Sequence, residues 1–556
     1  MVNPLKKRIL SGLISLLLLF LHSLCAFRAA AQEKVEWQIG KFDASSAEFR
    51  SQGIDYANPK SDAVYRVGQS NDAEDWPRFQ PGPANGLAGG RMHPFTILFD
   101  LPEKPAGVYR LTIAILYETP RLSHLRVDIN GHTGSFYFQP KLNYAAGDWE
   151  GTFVPQTSVD TKVIELPAAW LQKGDNRLVL TALDSPDAVE NSLGSIALGH
   201  TGVIYDALRL TQSPAERYAA GRVTASVEPT IFYRSETSGL EEIVEARVSF
   251  STIPKNGEAS LSIGGKPIVR TFEVSGDFGE VLLEFPVPEW QGAPPAIFQI
   301  KSNSSRKSFP VKLAAQKKWT VFIVPHEHLD IGFTDYPDKI AELHSQAVDG
   351  VLDLLPTHPE FRWTLDGSWV AEQYLKGRSP EKQEQFLQSI RDSKITLPMQ
   401  YANQHTGVAS LEGLIRSLYP SAALANKYSL PLGAAHITDV PSYSWSYASI
   451  LHDAGVKYFA AASNSWRAPV VLQGRWNEKS PFYWEGPDGG RVLMWYSRAY
   501  LQLSTMFATP QRLDAVKDAL PVFLQAYSGA GYIANAAIIF GSQLENTSLN
   551  KDQADL

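Results

Sequence analysis

At roughly 150 residues per domain, a chain of 556 residues has room for about three or four domains. With 44% hydrophobic and 20% charged residues, its composition is that of a globular protein and excludes a disordered one. A net charge of −7 lacks the basic footprint that nucleic-acid binding requires. The single cysteine, Cys25, excludes a disulfide framework.

In chain order, Lys6, Lys7 and Arg8 precede an apolar run from Ile9 to Leu24, and Ala29, Ala30 and Ala31 precede Gln32. This order predicts a signal peptide over residues 1–31 and a secreted or periplasmic product; an uncleaved anchor is the alternative. Cys25 falls within that leader, so the mature chain is expected to have no thiol chemistry. No later apolar run is long enough to span a bilayer, so no membrane association is expected of the mature form.

Residues 33–212 alternate apolar and polar positions in short runs, such as Tyr109–Leu116, Leu125–Ile129 and Asn176–Thr181. Turn signals, among them Asn130-Gly131, separate the runs, and the spacing predicts a β-sandwich. Three stretches, Trp37–Asp43, Asp75–Phe79 and Val127–Gly131, resemble the carbohydrate-binding-like domain III of rhamnogalacturonan lyase, polysaccharide lyase family 4. Nothing resembles the catalytic domain of those lyases. A sugar-binding face, with Trp76 and Phe79 as candidate platform residues, and a ligand-free spacer are both open readings. Residues 217–316 repeat the strand pattern at Val223–Tyr233, Val244–Ile253 and Phe278–Phe285, as in an immunoglobulin-like or fibronectin-like sandwich.

From residue 319 the pattern changes. Val321–Val324 reads as a buried strand running into Pro325-His326-Glu327-His328-Leu329-Asp330. Alternate side chains of an extended strand face the same way, so His326, His328 and Asp330 are expected to converge past its end. Imidazole and carboxylate suit zinc or a similar divalent metal. Helical spacing at 340, 343, 347, 351 and 354 follows, and then a helix near 380–392, a strand at 395–399, a helix at 412–427, a strand at 434–437 and a helix at 445–454. This alternation predicts an α/β domain with a largely parallel sheet.

Four blocks in this region resemble the N-terminal catalytic domain of glycoside hydrolase family 38, the zinc-dependent retaining α-mannosidases. They are His326-Glu327-His328-Leu329-Asp330-Ile331-Gly332-Phe333, Glu412–Arg416, Ala435–Asp439 with the helix after it, and Trp484–Gly489. The resemblance implies zinc held by His328, Asp330 and Asp439, with Asp439 also the nucleophile and Phe333 stacking on a sugar. Phe333 stands where the family usually has Trp. The family aspartate expected near Gly541 is missing, and Glu545 is the nearest carboxylate for the acid/base. The family's fourth zinc ligand lies further downstream, so residues 319–556 are expected to form an incomplete barrel, truncated and with three protein ligands.

The expected molecule is thus multidomain: two N-terminal β-sandwiches followed by an incomplete α/β barrel. Its expected partner is an oligosaccharide or polysaccharide, with neither nucleic acid nor membrane. A carbohydrate-binding protein with an inactive hydrolase domain, and another metal-dependent carbohydrate hydrolase, are the competing readings.

Overall fold

A computed structural model describes residues 33–556 except 57, 59, 61, 84–87, 118–123, 139–157, 184–201, 303–304, 441–442, 463–479, 498–499, 508–512, 526, 528–531, 533, 547–548, 550–553 and 555–556. The signal-peptide segment lies outside the described residues.

The N-terminal strands are β1 (Lys34–Gly40), β2 (Val64–Arg66), β3 (Phe79–Pro81), β4 (Pro94–Leu101), β5 (Val108–Tyr117), β6 (His124–Ile129), β7 (His132–Tyr137), β8 (Ser158–Pro167), β9 (Gly174–Leu183) and β10 (Gly202–Ser213). An antiparallel sheet runs β1-β10-β5-β8, with β3 also paired to β10. It shares a core with a second sheet containing β7-β6-β9-β4-β2. Alternation in β4 and β6 buries Phe95, Ile97, Leu125 and Val127 against Leu111, Ile113 and Leu208. Trp76 is 0% exposed, with its ring edge-on to Phe95 and Tyr205. It is a core residue and offers no sugar platform; Phe79 is half-buried beside Tyr56.

The next block contains β11 (Val223–Glu236), β12 (Gly239–Phe250), β13 (Asn256–Ile263), β14 (Ile268–Glu273), β15 (Phe278–Pro288), β16 (Pro295–Ser302) and β17 (Ser305–Lys312). An antiparallel sheet β14-β13-β16-β17 shares a core with β11-β12-β15 around Val244, Val248, Phe285 and Phe298. The two blocks are joined by one sheet. β15 pairs in parallel with β7, making the order β11-β12-β15-β7-β6-β9-β4-β2. Glycine permits this seam. A Cβ on Gly134 would lie 2.7 Å from the Phe278 carbonyl oxygen, and one on Gly279, whose φ is +108°, would lie 2.5 Å from that of Ser135. The Glu280 carboxylate ties the seam by accepting from Lys162 at 2.8 Å and from the Tyr137 amide at 2.8 Å.

The last region holds two parallel arrays. The first orders β20 (Ile395–Thr396), β19 (Trp363–Thr364), β18 (Thr320–His328) and β25 (Ala536–Glu545). The second orders β21 (Ala434–Thr438), β22 (Tyr458–Ala462), β24 (Arg491–Ser497) and an antiparallel β23 (Phe482–Glu485). The Met399 amide donates to the Ala434 carbonyl at 2.9 Å, linking the arrays between β20 and β21. Among the described residues no ladder joins β24 to β25, so the topology is that of an open α/β barrel. Pro398, which has no amide hydrogen, cuts the strand expected over 395–399 to two residues.

Helix α1 (Pro337–Leu354) begins on Pro337 and buries Ile340, Ala347, Val348 and Val351. It is followed by α2 (Ser368–Gly377) and α3 (Pro380–Arg391), the latter capped by Ser379. The helix expected over 412–427 is two, α4 (Leu411–Arg416) and α5 (Tyr419–Tyr428). Pro420 cannot donate to the Arg416 carbonyl, so the first helix ends there. Helix α6 (Ser446–Asp453) packs against β24.

Candidate metal centre

β18 delivers His328 at its C-terminal end, and Asp330 follows in the turn beyond. Asp439 follows β21 with φ +62°, a left-handed conformation that favours Asn, Asp and Gly among residues. Its amide donates to the Ala462 carbonyl at 2.9 Å, which fixes this bend against β22. One ligand atom from each of His328, Asp330 and Asp439 lies within 4.8 Å of the others. His328 Nε2 is 3.5 Å from Asp330 Oδ1 and 3.9 Å from Asp439 Oδ2, and it is buried without a hydrogen-bond partner. An orphaned imidazole nitrogen facing two carboxylates has the donor set of a divalent-cation site. The residues therefore fit a metal, and the cluster is placed to chelate one.

Burial opposes a charge on His328, yet the Asp330 and Asp366 carboxylates outweigh it and raise the imidazole to about 10. A cation arriving there displaces a proton.

His326 does not join the cluster. Two residues along a strand is about 6.6 Å, so its ring lies one layer deeper in the barrel. It is 1% exposed, packed 4.8 Å from the Phe540 ring, and both its nitrogens are buried without partners. Burial lowers it to about 3, which keeps it neutral.

Asp366, which the sequence reading passed over, lies just beyond β19 and is fully buried. The signal was present: an apolar strand, Trp363-Thr364-Leu365, ends on an aspartate, as β21 ends on Asp439. Asn546 was also missed as a functional residue. Its side-chain amide donates to the Asp330 carbonyl at 2.9 Å and to Thr334 Oγ1 at 2.6 Å, while its Oδ1 accepts from the Asp330 amide at 3.2 Å and from His344 Nε2 at 3.0 Å. The Asp330 turn is thereby clamped to the end of β25. Phe333, three residues beyond Asp330, is 81% exposed. The backbone of Glu545 pairs with His328; its side chain lies outside the described residues.

Residues 35–210 match polysaccharide lyase family 4, domain III, described as CBM-like, and residues 318–554 match the glycosyl hydrolases family 38 N-terminal domain. An N-terminal domain of the first kind is therefore followed by a catalytic-type domain of the second. No curated protein matches the chain. An α-mannosidase from Enterococcus faecalis V583 is 20% identical, with TM-score 0.34, over 42% of this chain and 26% of that one. A family 38 glycosyl hydrolase structure from Enterococcus faecalis is 19% identical, with TM-score 0.30, over 43% and 27%. A GH2 β-galacturonidase from Eisenbergiella tayi is 12% identical, with TM-score 0.20, over 82% of each chain. The chain thus spans about a quarter of the length of the first two. Together, the domain matches and the cluster describe a region of the family 38 N-terminal type that carries a His/Asp/Asp group placed to chelate a divalent metal ion.

Proposed function

We propose that the chain is a secreted retaining α-mannosidase in which residues 319–556 carry the chemistry and the sandwiches at 33–212 and 217–316 hold or space the substrate. The observation that carries this reading is the convergence of His328, Asp330 and Asp439 at strand ends inside a family 38-type domain. Bound there by these three side chains, zinc would supply Lewis-acid attraction for the sugar's hydroxyls. Asp439 is the nucleophile. One of its oxygens bonds to the anomeric carbon as the glycosidic C–O bond breaks, and Glu545 gives its proton to the departing oxygen. Water then attacks the anomeric carbon, Glu545 takes the water's proton, and Asp439 is released; two inversions give net retention. The left-handed backbone at Asp439 supports this role, since unusual φ in a non-glycine residue gathers at functional sites. Phe333, an exposed ring beyond Asp330, is the stacking surface for the sugar.

The test is hydrolysis of an aryl α-mannoside by zinc-loaded protein, with the product anomer followed by NMR. The expected result is an α-product at early times, lost on Asp439→Asn. A β-product, or no turnover of any α-mannoside by metal-loaded protein, would overturn the reading.

A further inference from the structure

Beneath the cluster lies a buried carboxylate whose oxygens are crowded with donors. Asp366 Oδ2 accepts from the Leu329 amide at 2.8 Å, Asn403 Nδ2 at 2.9 Å, Thr438 Oγ1 at 2.9 Å and His328 Nδ1 at 3.1 Å. Its Oδ1 accepts from His436 Nε2 at 2.7 Å. These donors come from both walls that present the candidate ligands. His328 and Leu329 belong to the end of β18, and His436 and Thr438 to β21, one residue before Asp439. Asn403 cross-links the same pair, since its Oδ1 accepts from the Thr438 amide at 2.9 Å.

We infer that Asp366 is the positioning residue of the metal centre: it fixes the tautomer and orientation of His328 and staples the strand bearing His328 to the strand bearing Asp439. The inference rests on the metal reading of the site. A carboxylate without a proton can only accept, so the shared hydrogen must sit on His328 Nδ1. In the neutral imidazole this leaves the lone pair on Nε2, the nitrogen that faces Asp330 and Asp439. Thr438 Oγ1, 2.8 Å from the same Nδ1, is kept as an acceptor there because its own hydrogen goes to Asp366, so without Asp366 neither partner fixes the tautomer and two strand ends lose their common anchor.

The experiment is titration of the full chain with zinc and with cobalt, comparing wild type and Asp366→Asn. Asparagine keeps the shape but exchanges an accepting oxygen for a donating NH2. The expected result is metal affinity about 10- to 100-fold weaker, with displaced visible absorption bands of the cobalt form and an unchanged far-ultraviolet circular dichroism spectrum. If that variant does not fold, Asn403→Ala removes one donor from Asp366 and is expected to weaken metal binding about fivefold. Unchanged affinity and an unchanged cobalt spectrum in a folded variant, beside tight wild-type binding, would overturn this inference alone. Failure of the wild-type chain to bind either metal would overturn it together with the metal reading.

Discussion

Two buried histidine–aspartate clusters sit in different regions of this molecule. In the N-terminal sandwich, Asp62 accepts from Arg91 at 2.8 and 2.9 Å and lies 2.9 Å from His93 Nδ1, while His93 Nε2 lies 2.9 Å from the Ala88 carbonyl oxygen. Each nitrogen of His93 has a partner, and the ring is closed off. In the barrel, Asp366 holds His328 by one nitrogen and leaves the other facing Asp330 and Asp439. The ingredients are nearly the same. The difference is one buried nitrogen that no hydrogen bond closes off and that faces two carboxylates. The closed network is structural; the open one, with carboxylates converging on its free nitrogen, is a candidate site.

The largest effect expected from breaking that contrast is chemical. Asp439→Asn should lower kcat by about 10⁴-fold or more in the presence of saturating zinc, as loss of a nucleophile does. Steady-state kinetics on an aryl α-mannoside check this. A residual rate within tenfold of wild type would remove Asp439 from the chemistry.

Proton linkage comes next. His328 must lose its proton to bind a cation, so apparent zinc affinity should rise by roughly tenfold per pH unit until pH approaches 10. Calorimetry in buffers of different ionisation enthalpy should count one proton released. Stability without added metal carries the signature too. His328 is raised from 6.5 to about 10, so its contribution is full below 6.5 and is lost as pH rises through 10. His326 and His124, lowered by burial to about 3 and about 4, act oppositely. They stay neutral in the fold while the unfolded chain takes up protons, so stability falls as pH drops below 6.5. Melting temperature should therefore decline on both sides, and His328→Gln should flatten the alkaline limb only.

Much of this was legible in the sequence, for identifiable reasons. Period-2 alternation predicted sandwich strands, because one face of each strand must meet a core. His328 and Asp330 could be read because they follow an apolar strand, at whose end parallel α/β folds present polar groups, whereas Asp439 was implied only by the resemblance to family 38. Other features were not legible. The seam between β15 and β7 depends on Gly134 meeting Phe278 and Gly279 meeting Ser135, each pair 144 residues apart in the chain, and neither glycine signals its partner. Trp76 reads as a surface aromatic beside charged neighbours, yet it fills the core. Asp366 was passed over because its five donors come from three separate segments.

A weaker contrast is structural. Asp62→Ala should destabilise the sandwich by about 1–3 kcal/mol, by leaving Arg91 and His93 without their acceptor. Zinc affinity should not change. Denaturant unfolding followed by metal titration separates the two effects, and a change in zinc affinity would mean the clusters are coupled. The smallest effect is expected at Phe333. Its ring is 81% exposed, so Phe333→Ala should leave stability unaltered and weaken substrate binding by about 0.5–1.5 kcal/mol, read as a higher KM.

The most direct measurement is anomalous diffraction at the zinc edge from crystals of the full chain grown with zinc. The expected result is one strong peak about 2.0–2.2 Å from His328 Nε2, an Asp330 oxygen and an Asp439 oxygen. A strong peak elsewhere with none among these three side chains, or no peak at saturating zinc, would contradict the assignment of this cluster as the metal centre.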